Sequence, residues 1–294
     1  MEVLMYTTFT LKETGEGKIE GYLWHVENPV RTVVIIHGIG EYGGRFDRVA
    51  GFLNKAGFAV VSMDLRGHGN SLGNKGHCAP RTAVLEDIDD LIDFAADKYP
   101  GTEIVLYGHS MGGNITLDYR CRGGRNYVPA GYLVTAPWIR LVRSIPAPLY
   151  AVVKLLSRIM PSATIGSNVN EDILGNPETV KPYSTNPMVH NRISFLCALE
   201  GFETGKKLET ATMEDNGRAA DIPLLIMQGS EDRICDPEGA RRAAAAFAGK
   251  GHRTGYIEWE GLFHEIHNGN RDERGDKVIE RIAEYCRDLK LPVQ

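Results

Sequence analysis

The sequence predicts an α/β fold: a mostly parallel central sheet flanked by helices, with a helical segment inserted near its middle. Three observations carry this. Apolar runs rich in β-branched residues recur along the 294 residues, as parallel strands buried on both faces require. Stretches with helical spacing lie between them, the alternation that marks a doubly wound sheet. The rhythm breaks once, where roughly eighty residues separate two strand-like runs that a dozen would connect.

Taken in chain order, the alternating stretches "YTTFTL" and "IEGYLWHV" flank the turn signal "ETGEGK" and predict an antiparallel hairpin. "TVVIIHG", "FAVVSMD", "EIVLYGH", "GYLVTA", "PLLIMQG" and "TGYIEW" then read as the buried strands. Helical spacing runs from Phe46 to Lys55, Arg81 to Tyr99, Met111 to Arg122, Pro237 to Ala248 and Arg271 to Leu289. The long interval divides the chain into a first core part over 1–136, an inserted cap over 137–211 and a second core part over 212–294. Its opening, "APWIRLVRSIPAPLYAVVKLLSRIM", mixes large apolar residues with Arg140, Arg143, Lys154 and Arg158 and contains no acid. Such a segment reads either as a helix packed on the core with a solvated charged edge or as an interfacial helix resting on lipid. "PSATIGSNVNEDILGNPETVKPYSTNP" is loop-like, and helical spacing returns from Met188 to Phe202.

A hydrophobic content of 43% and a net charge of -5 describe an ordinary globular protein rather than one that coats nucleic acid, so small molecules are the expected partners. "MEVLMYTTFTLKETGEGK" shows neither a secretory signal nor a transmembrane pattern, and the expected compartment is the cytoplasm, with peripheral contact at a membrane surface left open. The five cysteines, Cys78, Cys121, Cys197, Cys235 and Cys286, are scattered without metal-ligand spacing and read as free thiols.

The densest chemical signal is "LYGHSMGGNI", where Gly108, Ser110 and Gly112 fit the G-x-S-x-G pattern of a nucleophile at a sharp strand-to-helix turn. A serine hydroxyl needs an imidazole to take its proton, and the imidazole needs a carboxylate. After "PLLIMQ", the loop "GSEDRICDPEGA" offers Glu231, Asp232 and Asp236. Asp236 precedes Pro237 and reads as a helix N-cap, and Glu231 as a solvated charge. Asp232 is the candidate acid. "EWEGLFHEIHNGN" follows the last strand and supplies His264 as the candidate base, whereas His252 sits at the wrong end of the sheet. Oxyanion donors fit the amides of Met111, after the serine, and Ile39, in the glycine-containing loop of "VVIIHGIGEYGGRF". Asp64, Arg66 and His68 in "MDLRGHGNSLG" read as loop braces, and that loop lacks phosphate-binding spacing.

With "HGIGEYGGRF", "DLRGHGNSLG", "GHSMGG", "QGSEDRICDPEGA" and "EGLFHEIHN" in this order, the chain resembles the α/β-hydrolase superfamily. Within it, the chain resembles the monoacylglycerol lipase group of serine aminopeptidase S33-like hydrolases. The resemblance implies Ser110 as nucleophile, Asp232 as orienting acid, His264 as base, and Ile39 and Met111 as the oxyanion hole. It further implies a glycerol-binding corner from Glu41, Arg45, Tyr183 and His267, an acyl ester substrate, and no metal or organic cofactor. Cys235 matches a cysteine near the active site of relatives, either a reactive thiol or a buried inert one. A departure is Ile39, where relatives often carry a smaller residue. Lysophospholipase, feruloyl or short-chain esterase activity, and a non-catalytic ligand sensor are the alternatives on the same fold.

Overall fold

The computed structural model describes residues 6–167, 169, 171–176, 185–270 and 273–292. The described strands are β1 Thr7–Thr14, β2 Gly17–Trp24, β3 Thr32–Ile36, β4 Ala59–Met63, β5 Ile104–His109, β6 Gly131–Thr135, β7 Thr164–Gly166, β8 Arg192–Ser194, β9 Leu224–Gly229 and β10 Thr254–Trp259. The helices are α1 Asp47–Lys55, α2 Arg81–Lys98, α3 Met111–Arg122, α4 Ala147–Ile159, α5 Phe195–Glu209, α6 Pro237–Gly249 and α7 Arg274–Asp288. Eight strands form one sheet in the order β1-β2-β4-β3-β5-β6-β9-β10, while β7 and β8 pair separately. The hairpin β1–β2 is antiparallel and joins the sheet antiparallel to β4; every pairing from β4 through β10 is parallel.

The alternation of side chains along each strand builds two cores. Val34 and Ile36, with Ile104 and Leu106, face one side and pack on α2, α3, α5 and α6. Val33 and Ile35, with Val105 and Tyr107, face the other and pack on α1 and α7 through Leu53, Val278, Ile279 and Ile282. Val33 to Ile36 are fully buried, each side chain worth about 1.5–3 kcal/mol of burial. Helices on both faces thus force continuous apolar strands, and the carboxyl ends of β3, β5, β9 and β10 lie along one edge where loops meet.

Between β6 and β9 the inserted segment supplies α4, the β7–β8 hairpin and α5. Two sequence expectations differ here. The loop-like stretch contains β7, whose partner β8 lies in the region read as helical, so the strand pair draws on residues too far apart for local periodicity to show it. Consequently α5 begins at Phe195 rather than Met188, capped by the Ser194 hydroxyl, which accepts from the Cys197 amide. Cys197, Ala198 and Leu208 of α5 and Val153 of α4 belong to the same apolar cluster as the sheet face. The outer face of α4 is unlike a packed helix: Val152, Leu155 and Ile159 are about half exposed or more, beside exposed Lys154 and Arg158. No helix among the described residues is long and apolar enough to cross a membrane.

Candidate active site

Ser110 stands between β5 and α3 with φ 55 and ψ -118, a conformation that a side chain rarely adopts and that stores about 1–3 kcal/mol. Three hydrogen bonds hold it there: its amide donates to the Thr135 carbonyl at 3.0 Å, and its carbonyl accepts from the Asn114 and Trp138 amides at 3.1 and 2.9 Å. The flanking glycines are there for space. A β-carbon on Gly108 would lie 2.3 Å from Thr116 Oγ1 and 2.4 Å from the Gly112 carbonyl oxygen.

The loops after β9 and β10 bring the other two residues to it. His264 Nδ1 faces Asp232 Oδ2 at 2.8 Å, and its Nε2 faces Ser110 Oγ at 2.8 Å. With the imidazole proton on Nδ1, the serine hydroxyl donates to Nε2, the arrangement that lets a hydroxyl become an alkoxide as it attacks. Asp232 is oriented in turn. Its Oδ1 accepts from the amides of Ile234 and Cys235 at 2.8 and 3.0 Å, and its Oδ2 from Gln228 Nε2 at 2.8 Å. All three residues are buried. Burial alone would lower the His264 pKa, but the Asp232 carboxylate beside it opposes this, and the pKa is raised well above 6.5. Glu231 is exposed, and Asp236 caps α6 by accepting from the Glu238 amide. His252 packs remotely, facing Arg120 Nη1 at 2.7 Å through Nδ1 and Asp215 at 3.3 Å through Nε2.

Met111 is the first residue of α3, so its amide is one of those that helix geometry leaves without an intrahelical acceptor. On the other side, the loop after β3 runs directly against the serine: a β-carbon on Gly38 would come 3.1 Å from Ser110 Cβ. Both peptide planes flanking Gly38 are fixed. Its amide donates to Glu41 Oε1 at 2.6 Å, and its carbonyl accepts from His37 Nδ1 at 2.7 Å, while His37 Nε2 accepts from the Leu65 amide. Burial drives the His37 pKa down to about 3, so the ring is neutral and its two bonds agree with one tautomer. Ile39 follows Gly38 and lines the cavity beside Ser110.

That cavity, about 730 Å³, is walled by Trp138, Leu149, Val153, Ile193, Phe202 and Ile234 among others, with Arg143 and Arg233 at the polar positions. A space of this size and character suits an aliphatic chain. Its described lining excludes Glu41, Arg45 and His267, and Tyr183 lies outside the described residues. Glu41 is 3% exposed and occupied by Gly38 and Arg45; Arg45 also donates to Glu265 through Nη1 and Nη2 at 2.6 and 2.9 Å. His267 is buried against Phe46 and His109, and burial lowers its pKa to about 3.

Asp64, Arg66 and His68 brace loops. Asp64 accepts from the Gly43 and Asn70 amides and from the Tyr22 hydroxyl, Arg66 pairs with Asp87, and His68 Nδ1 meets the Arg66 carbonyl. Cys235 lines the cavity and touches both Ser110 and His264, yet burial raises its pKa and keeps it a thiol. Among the described residues, Asp232, Cys235 and His264 are the one group of metal-ligand types that converges. Each is already engaged with another member or with Ser110. Sequence reasoning missed His37 and Glu265. The sole local sign of the latter is its place beside His264, because Arg45 lies 220 residues earlier in the chain.

The chain is similar to proteins from several organisms. It is 30% identical to the monoacylglycerol lipase of Mycolicibacterium smegmatis over 86% of this chain and 88% of that one. It is 30% identical to an abhydrolase domain-containing protein of Dictyostelium discoideum over 89% of its own length, but spans only 27% of that longer protein. The crystal structure of the Paleococcus ferrophilus monoacylglycerol lipase superposes with a TM-score of 0.79 at 29% identity, covering 92% of this chain and 99% of that one. Likeness of this extent, on a sheet that carries a strained serine at the end of β5, defines a carboxylic ester hydrolase of α/β-hydrolase fold. The family model for serine aminopeptidase, S33, matches residues 27–271, and the chain belongs to that family.

Proposed function

We propose that the protein hydrolyses monoacylglycerols to free fatty acid and glycerol through an acyl-enzyme on Ser110. The observation that carries this reading is the 2.8 Å contact between Ser110 Oγ and His264 Nε2, placed where the serine also lines an apolar cavity sized for an acyl chain. In the first step His264 takes the hydroxyl proton as Oγ attacks the ester carbonyl, and Asp232 stabilises the imidazolium. Negative charge on the carbonyl oxygen meets the amides of Ile39 and Met111, the latter at the positive end of α3. Glycerol leaves with a proton from His264, and water repeats the attack on the acyl-enzyme.

In this account residues 137–211 act as a cap over the core formed by 1–136 and 212–294, and the cap supplies most of the acyl cavity. The exposed apolar face of α4, flanked by Lys154 and Arg158, supports transient docking of a cytoplasmic protein on a lipid surface. The test is kcat/KM across monoacylglycerols, lysophospholipids and aryl esters for wild type and Ser110→Ala. Preference for monoacylglycerols, lost with the serine, supports the proposal; a preference for lysophospholipids or aryl esters replaces its substrate, and failure of Ser110 to react with a fluorophosphonate favours a ligand sensor.

A further inference from the structure

The loop that follows β3 and the loop that carries His264 are joined beneath the serine by an ion bridge outside the cavity lining. Glu41 accepts the Gly38 amide through Oε1 at 2.6 Å and Arg45 Nη1 through Oε2 at 2.6 Å. Arg45 continues to both oxygens of Glu265, the residue bonded to His264. Asn268 Nδ2 adds a donor to Glu265 Oε2 at 2.6 Å, and the Glu265 amide reaches the Leu174 carbonyl of the inserted segment at 2.6 Å. The path therefore runs from Ser110 through His264, Glu265, Arg45 and Glu41 to Gly38, and closes into a ring by packing alone, the Gly38 backbone lying so near Ser110 that a β-carbon built on it would come 3.1 Å from Ser110 Cβ.

We infer that Arg45 and Glu265 are positioning residues, and that the Glu41–Arg45–Glu265 bridge holds the Gly38–Ile39 backbone in fixed register with the His264 imidazole. Two carboxylates sharing one guanidinium carry a surplus negative charge. Glu41 and Glu265 are 3% and 2% exposed, where a charged pair is often no more stabilising than apolar packing of the same volume. What such a bridge supplies beyond stability is geometry: the planar Arg45 fork meets Glu265 along two parallel bonds and admits few orientations. Oxyanion donors and base must serve the same transition state, and one rigid link between their two loops aligns them together. The electrostatics agree with a fixed arrangement. Burial alone would raise the Glu265 pKa, yet Arg45 holds it at about 2, whereas Glu41 is raised because its burial outweighs the same guanidinium and Glu265 repels it.

The inference rests on the proposed roles of Ser110 and His264, and wild type against Ser110→Ala tests those roles separately. Arg45→Lys, Glu265→Gln, Glu41→Gln and the double glutamine variant are assayed on a monoacylglycerol and on the corresponding methyl ester, with kcat normalised to fluorophosphonate-titrated sites. Each single variant is expected to lose about ten- to a hundredfold in kcat on both substrates, with KM within about twofold. The double variant should lose little more than the worse single one, because both break the same ring. Glu265→Gln leaves a balanced Glu41–Arg45 pair and carries the test if Arg45→Lys does not fold. Three results overturn the inference: an effect confined to the glycerol ester or to KM, unchanged kcat per titrated site with only a lower Tm, or additive losses in the double variant.

Discussion

A β-carbon on Gly112 would stand 2.1 Å from the carbonyl oxygen of Ile36, so α3 leaves the serine turn pressed against the end of β3. Gly112→Ala must push the turn away from that strand. Unfolding in denaturant should show a loss of about 1–3 kcal/mol, the usual range for overpacking. Turnover should fall by on the order of a hundredfold as Ser110 moves relative to its partners. The control is Gly15, where an added β-carbon would meet nothing within 4 Å and φ is not positive; Gly15→Ala should stay within about 0.5 kcal/mol.

The ionisation of His264 sets the acid limb of the pH profile. Its imidazole must be neutral to accept the serine proton, and Asp232 raises its pKa above 6.5 against the opposing effect of burial. A raised value keeps the ring charged to higher pH, so kcat/KM should fall as pH falls, with a midpoint above 6.5. In Asp232→Asn the raising charge is gone while burial remains, so the midpoint should move down. That variant should also lose on the order of 10³–10⁴ in kcat as the tautomer is no longer fixed.

Val153 is 4% exposed and lines the cavity from α4. Val153→Phe shortens the space available to an aliphatic chain. Steady-state kinetics should show kcat/KM for long-chain monoacylglycerols lowered by about tenfold, with short-chain esters within about twofold. Equal losses on both would place the acyl chain elsewhere.

Leu155 and Ile159 are 57% and 65% exposed on the outer face of α4 and do not line the cavity. Replacing both with Glu removes apolar surface and opposes the neighbouring cations. Sedimentation with vesicles containing anionic lipid should fall by about tenfold or more, while hydrolysis of a dissolved short-chain ester is unchanged. Undiminished sedimentation would remove α4 as the docking face.

The sheet was legible because parallel strands covered on both faces must be continuously apolar, and "TVVIIHG" and "PLLIMQG" have no other simple reading. The serine turn was legible because steric crowding admits only glycine at its flanks. Less could be read where partners lie far apart in sequence. β7 pairs with β8, which lies far along the chain, and Glu265 shows its role only when Arg45 arrives from the other end of the chain. Glu41 and Arg45 stand four residues apart, but their pairing and burial depend on packing that no local pattern encodes.

The account is tested most directly by intact-mass and peptide analysis of enzyme quenched during turnover of a monoacylglycerol. It predicts an acyl adduct on Ser110 in the wild type, and neither adduct nor turnover in Ser110→Ala. Undiminished hydrolysis by Ser110→Ala, with the protein unmodified throughout, contradicts it.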